Sequence, residues 1–284
     1  MSASTPKKNS FFGGAAILTA GIVIVKIIGA LYKIPLGSIL SDAGYADFNT
    51  AYDIYSLLIV ISTGGLPVAL SKMVSEANAR GRINQVNQVY RLSFVAFCVL
   101  GTLSFLVMAI FPRQLSELMN NSRSYWSILA LAPAVFFICP LSALRGYLQG
   151  HSIMTPTAVS QIIEALCRLV VGLALSSIIM GKGMDESLAA AGAILGVSVS
   201  VLLSMLYVYW CYRGHQVHQK AGRDTPDSSR EILRTLVRLA VPITVGASIV
   251  SVTNIFDSAI LMNRLQAALH MTEDAARTLK GMYN

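Results

Sequence analysis

The chain is a succession of long apolar stretches separated by short polar ones. The apolar stretches neither alternate like half-buried strands nor stay as short as the core elements of a water-soluble domain. A bilayer core of about 30 Å takes roughly 20 apolar residues as helix. Seven runs reach that length, at about 12–32, 48–70, 92–111, 125–144, 156–180, 187–212 and 236–262. They predict helices, because lipid offers no partner to the backbone groups that an open strand leaves unpaired. Pro112 closes the third run, Pro156 stands where a helix start tolerates it, and Gly181-Lys182-Gly183 separates the fifth run from the sixth. Pro67, Pro133, Pro140 and Pro242 fall inside runs and predict kinks. The basic N-terminus leads into a span-length run without a small-residue cleavage site, which predicts a retained first helix.

Composition sharpens this picture. Of 284 residues, 54% are hydrophobic and 13% charged, too apolar a balance for a cytosolic enzyme. The net charge of +8 raises nucleic acid as a partner, and the placement of the basic residues answers it. With the N-terminus in the cytoplasm, the inside segments hold twelve: Lys7, Lys8, Lys72, Arg80, Arg82, Arg91, Arg145, Arg213, Lys220, Arg223, Arg230 and Arg234. The outside segments hold four, Lys33, Arg113, Arg123 and Lys182. This asymmetry predicts a multi-pass protein of a cytoplasmic membrane with a cytoplasmic N-terminus, whose basic excess faces the inner membrane surface and not nucleic acid. Cys98, Cys139, Cys167 and Cys211 lie in or at the ends of apolar runs, with no CxxC spacing, and read as free thiols.

The longest polar stretch, Arg213 to Arg234, reads as a solvated linker, and its His215 and His218 do not make a metal site. It divides the chain into a first lobe of six helices (1–212), the linker (213–234) and the start of a second lobe (235–284). After the seventh run, Thr272 with Glu273 and Asp274 resembles the capped start of another helix, which predicts the front half of something longer.

Ionisable residues at membrane depth are costly, so each is a functional candidate. Lys26 falls in the first run, Asp53 in the second, Glu164 and Arg168 in the fifth and Asp257 in the seventh. Arg238, near the inner end of the seventh, can snorkel to the interface. Glu164 and Arg168, four apart with the acid first, share a helix face in the favoured order for an ion pair. That pair either fixes packing or lines a hydrophilic cavity where the guanidinium holds an anion, and Gln161 extends the same face. Lys33 lies seven residues from Lys26, almost two turns, so the two form a basic stripe. Across the helix gap, Lys26 faces either Asp53 or the negative charge of a ligand. Asp53, Glu164 and Asp257 are the candidate ion-coupling carboxylates. The sequence carries no P-loop, GxSxG or HExxH motif and gives no reason to expect a catalytic centre, a cofactor or a metal.

The stretches KIIGALYKIPLGSIL, DAGYADFNTAYDIYSLLIVISTGGLPVALSKMVSE and ALRGYLQGHSIMTPTAVSQIIEALCRL resemble the polysaccharide-biosynthesis transport family, which includes the stage V sporulation protein B group and the MurJ-like lipid II flippases. The resemblance covers essentially the whole chain. It implies the multidrug, oligosaccharidyl-lipid and polysaccharide exporter superfamily: two six-helix lobes about a central cavity, working by alternating access. The implied substrate is a lipid-linked oligosaccharide, with cell-wall synthesis proteins as implied partners. In the lipid II flippases, basic residues on the first, second and eighth helices face the cavity and are thought to hold the lipid's pyrophosphate. Lys26 resembles the first of these. The next basic position falls at Tyr32, beside Lys33, the second-helix position falls near Val60, and the eighth-helix position falls just past Asn284. Asp47 resembles an acidic residue at the outer end of the second helix. The substrate-binding set implied by stripe, pair and resemblance is Lys26, Lys33, Arg168 and Asp47. A multidrug or cation antiporter of the same superfamily, and a non-transporting envelope or sporulation scaffold, are the competing readings.

Overall fold

The computed structural model describes residues 8–216, 222, 224–264, 272, 275–276 and 278–279. Lys7, His218, Lys220, Arg223, Glu273 and Asp274 lie outside the described residues. The described residues form an all-α bundle: α1 (Lys8–Ile39), α2 (Asp42–Thr63), α3 (Leu66–Ala79), α4 (Ile83–Ile110), the short α5 (Pro112–Leu118), α6 (Tyr125–Gly150), α7 (Thr155–Gly181), α8 (Glu186–Gln216) and α9 (Ser229–Asn263). Seven helical segments among them are long and apolar enough to cross a membrane, one per expected run. The helices outrun their apolar windows. α1 continues through Pro35 to Ile39, seven residues beyond the expected limit.

Burial sorts the helices. In α6 and α8, 72% and 67% of the apolar window is buried, against 11% in α1 and 12% in α9. The first pair therefore forms the centre of the bundle, and most of the apolar surface of the others is left to face lipid. α6 packs against α2, α3, α4 and α8, while α7 lies between α1 and α8. Small residues allow these approaches: a Cβ on Gly196 of α8 would run into the backbone of Gly172 on α7, so the two helices cross backbone to backbone.

The second span is broken. α2 ends at Thr63 and α3 starts at Leu66, with Pro67 in its first turn, where a missing N–H costs nothing. Pro67 was expected to kink a continuous helix, and it begins a new one instead, because Gly64-Gly65 ahead of it ends the first. The freed Gly65 amide donates to the Thr244 hydroxyl of α9 at 2.9 Å. A Cβ on Gly65 would fall on the Ala240 carbonyl, so α9 sits directly against the break.

The described part of the linker is docked where a solvated segment was expected. α4 begins after Gly81-Arg82 without a side-chain cap of its own, leaving its first amides in need of an acceptor. Asp224 supplies it: its carboxylate accepts from the Asn84 and Gln85 amides, both at 2.9 Å. Asp227 accepts from Arg82 at 2.7 Å and from the Gln85 carboxamide at 3.0 Å, and its own amide donates back to Gln85 at 2.7 Å. One residue on, the Ser228 hydroxyl accepts from the Glu231 amide at 3.3 Å and caps α9. The Thr272 hydroxyl likewise accepts from the Ala275 amide at 3.4 Å, as its sequence context predicts.

Candidate functional site

A cavity of about 1340 Å³ opens between α1, α2, α7 and α9, with Arg145 of α6 in its wall. Six of the residues singled out above line it: Lys26, Lys33, Asp53, Glu164, Arg168 and Asp257. They come from four helices, and they meet because each helix keeps its polar positions on one stripe. On α1, Lys26, Gly29, Ala30 and Lys33 follow the i, i+3, i+4, i+7 rule. On α7 the same spacing selects Gln161, Glu164, Ala165 and Arg168, and at the end of α9 it joins Asp257, Ile260, Leu261 and Arg264. Asp47 is not on the cavity wall. It is fully buried at the start of α2 and accepts from the Ser187 hydroxyl of α8 at 2.8 Å, a packing contact between helix ends.

Glu164 is the electrostatic centre. Its Oε1 accepts from Arg168 at 3.1 Å, as the four-residue spacing predicts, and its Oε2 accepts from Arg145 at 3.2 Å. The three side chains are only 23%, 14% and 12% exposed for Arg168, Glu164 and Arg145. Two guanidiniums on one carboxylate leave a net positive cluster in the interior. Arg145 also donates to the Ser160 hydroxyl at 3.0 Å, and Arg168 reaches across the cavity to the Tyr52 hydroxyl of α2 at 3.2 Å. Arg168 therefore ties α7 to α2.

Arg145 corrects the sequence reading, which counts it among inside-loop residues. Its charge ended the apolar window at Leu144, yet the helix runs on to Gly150 and carries Arg145 inward. Lys33, counted outside, likewise lies on α1 in the cavity wall, so the expected loop asymmetry becomes eleven to three. Arg264, Asn49, Tyr52 and Asn254 were also missed, and spacing holds the signal for three of them. Asn49 is four residues before Asp53, Asn254 three before Asp257, and Arg264 seven after it. Among the described residues the lining carries five basic side chains, Lys26, Lys33, Arg145, Arg168 and Arg264, against three carboxylates, Asp53, Glu164 and Asp257. An acceptor-rich anion is the complement of such a surface.

The α2 wall is aromatic as well as polar. Phe48 and Tyr52 stack at 5.9 Å with their planes 14° apart, and Tyr45 stacks on Phe48 at 6.2 Å. The four cysteines are all free, with Cys139 buried in α6.

A family model described as "Polysaccharide biosynthesis protein" matches residues 11–284. Stage V sporulation protein B of Bacillus subtilis (strain 168) is 30% identical over 210 residues, covering 72% of this chain and 40% of that protein. Lipid II flippase MurJ of the same organism is 28% identical over 211 residues, covering 69% of this chain and 38% of the flippase. The chain thus spans less than half the length of these two relatives. Among solved structures, a MOP superfamily transporter from Pyrococcus furiosus, whose study reports a binding pocket of reversed polarity, superposes with a TM-score of 0.71 at 16% identity. That match covers 99% of this chain and 65% of the transporter. At that identity the likeness is one of fold.

Proposed function

The chain belongs to the polysaccharide biosynthesis protein family and is a multi-pass membrane protein, and from that premise we propose that it is part of a flippase for a lipid-linked oligosaccharide. One observation carries this reading: a cavity between the helices where, among the described residues, five basic side chains outnumber three carboxylates. A pyrophosphate-type headgroup needs fixed cations in a site poor in water, whereas an organic cation needs the opposite balance. The sugar crosses through the cavity while the polyprenyl tail stays among the exposed apolar side chains, such as Ile27 and Leu31 of α1. Similarity to a flippase and a sporulation protein supports an envelope substrate, and the activity is transport rather than catalysis.

In this proposal the first lobe ends with α8, residues 213–234 link the lobes, and α9 begins the second. The N-terminus is cytoplasmic, supported by the eleven-to-three distribution of basic residues outside the cavity. Lys26, Lys33 and Arg168 hold the anionic group, and Asp53 and Asp257 are the carboxylates for ion coupling. Glu164 is the weaker coupling candidate, because both its oxygens accept from arginines. Asp47 serves helix packing.

The test is translocation of a fluorescent undecaprenyl-pyrophosphate sugar by the complete protein in liposomes. Lys26→Ala with Lys33→Ala is expected to slow it on the order of tenfold, the loss of charge-assisted contacts to one phosphate group. A wild-type rate in that double variant would reject the cavity-cation reading.

A further inference from the structure

Glu164 holds two arginines, yet neither depends on it alone for position. Arg145 donates through Nε to the Ser160 hydroxyl at 3.0 Å, and the fully buried Ser160 donates in turn to the Thr157 carbonyl at 2.8 Å. Arg168 donates through Nη1 to the Tyr52 hydroxyl at 3.2 Å, with its guanidinium carbon 6.0 Å from the centre of that ring. Each guanidinium thus keeps one edge on a neutral partner and gives Glu164 another, its Nη2. The contacts to Glu164 are also long. A charge-assisted N–H to carboxylate bond closes to about 2.7–2.9 Å. Two more exposed pairs of this protein reach that length, Arg82 with Asp227 at 2.7 Å and Arg80 with Glu76 at 2.8 Å. Glu164 instead stands 3.1 Å from Arg168 and 3.2 Å from Arg145, one oxygen to each. A pair away from water gains more by closing than one at the surface, so these gaps mark a carboxylate that fits its place loosely. All three side chains line the cavity.

We propose that Arg145 and Arg168 form a phosphate site that Glu164 fills until the headgroup of the substrate displaces it. This rests on the flippase reading above, and it adds Arg145 to the anion-holding residues and a built-in competitor, Glu164, to their site. The chemistry of the exchange is matched. A phosphate offers what the carboxylate offers, ionised oxygens that only accept and can bridge two guanidiniums, and it carries more charge. Ser160 and Tyr52 keep the arginines in place through the exchange, so only the Glu164 side chain has to turn aside into the cavity. The acid also answers a difficulty of any such site. Two guanidiniums without a counter-charge would repel one another and hold any anion that entered, whereas a tethered carboxylate offsets the repulsion and returns as the headgroup leaves. Glu164 therefore weakens binding and favours release, the opposite of what a lining residue that grips substrate does.

The experiment measures binding of undecaprenyl pyrophosphate to the complete protein in nanodiscs, above a phosphatidylglycerol background. Glu164→Gln keeps the shape and removes the competing charge, so it is expected to lower Kd on the order of tenfold, the scale of one charge-assisted hydrogen bond. In an Arg145→Gln background the same change frees only Arg168, and the gain is expected to shrink to about threefold. Glu164→Asp serves where Glu164→Gln does not fold: it keeps the charge, reaches one methylene less far and holds only one arginine well, so its Kd falls about threefold. An unchanged or raised Kd in the Glu164 variants overturns the exchange. So does an equal gain with and without Arg145, which marks a through-space effect of the lost charge. Inorganic pyrophosphate, titrated separately, distinguishes a free anion from a lipid headgroup: a gain for it with none for the lipid overturns the headgroup assignment. Each of these results leaves the flippase reading standing. Failure of the wild-type protein to bind the lipid above background overturns that reading, and this one with it.

Discussion

Glu164→Gln removes the one anion between Arg145 and Arg168. Each guanidinium lies 3.1–3.2 Å from a Glu164 oxygen, and no side chain of the three is more than 23% exposed. At an effective dielectric of about 20, a contact of that length is worth roughly 5 kcal/mol of attraction before desolvation. Stripping one member from such a buried cluster costs about 3–5 kcal/mol, because the survivors stay buried with like charge. Glu164→Gln is therefore expected to lower the melting temperature of the complete protein by roughly 5 °C or more. The contrasting variant replaces all three, Arg145→Met with Glu164→Leu and Arg168→Met. Apolar replacement of a whole buried ionic cluster is neutral or stabilising, so this variant melts at or above the wild-type temperature while transport is lost. Reaction of a thiol dye with buried Cys139 reads unfolding directly, in a background carrying Cys98→Ser, Cys167→Ser and Cys211→Ser. If Glu164→Gln melts with wild type, or the triple variant melts as low as Glu164→Gln, the cluster is not the interior charge network described here.

Burial alone would raise the Asp224 carboxyl, but the amides of Asn84 and Gln85 outweigh it and hold the group below the usual carboxylate range. A depressed native value contributes stability above the unfolded value, near 4, and that stability is lost only as pH falls through the lower native one. The protection factors of the Asn84 and Gln85 amides, taken against unfolded-chain exchange at the same pH, should hold at pH 5 and fall below about pH 4, and Asp224→Ala should lower them at pH 7. Exchange indifferent to that variant would remove Asp224 as the cap of α4. Gly65→Ala places a Cβ on the Ala240 carbonyl and is expected to push α9 from the α2/α3 break at a cost of about 1–3 kcal/mol. The Ser56 and Ser251 hydroxyls stand 3.4 Å apart, so disulfide formation between Ser56→Cys and Ser251→Cys should slow in that background. An unchanged rate would show that the break has room. For orientation, cysteines at exposed Asp185 and Thr225 should react with impermeant reagent from opposite sides of the membrane. Reaction from one side rejects the topology.

The seven spans were legible because a span-length apolar run has few other uses, and the Glu164 and Arg168 pair was legible because four residues is a helical repeat. What escaped was long-range or masked by its own charge. Arg145 was read as loop because it directly follows the apolar run ending at Leu144, and only the fold shows Glu164 nineteen residues away in sequence at 3.2 Å. Tyr52 and Arg168 meet because α2 and α7 face one another, which no local spacing states. The acidic residues of the linker look like solvated charge until the uncapped start of α4 is seen beside them. Asp47 illustrates the converse: its family likeness marks a position, while its surroundings make it a tie between α2 and α8.

The central claim is that this cavity holds a lipid-linked anionic sugar. The direct measurement is photo-crosslinking of the complete protein, in membranes, with an undecaprenyl-pyrophosphate disaccharide that carries a diazirine on the sugar, followed by mapping of the labelled peptides. Label is expected in α2 around Asn49 and in α7 around Gln161, to be competed by unlabelled lipid, and to fall in a Lys26→Ala, Arg168→Ala variant. Label confined to lipid-facing positions such as Ile27 and Val170, or undiminished in that variant, would contradict it.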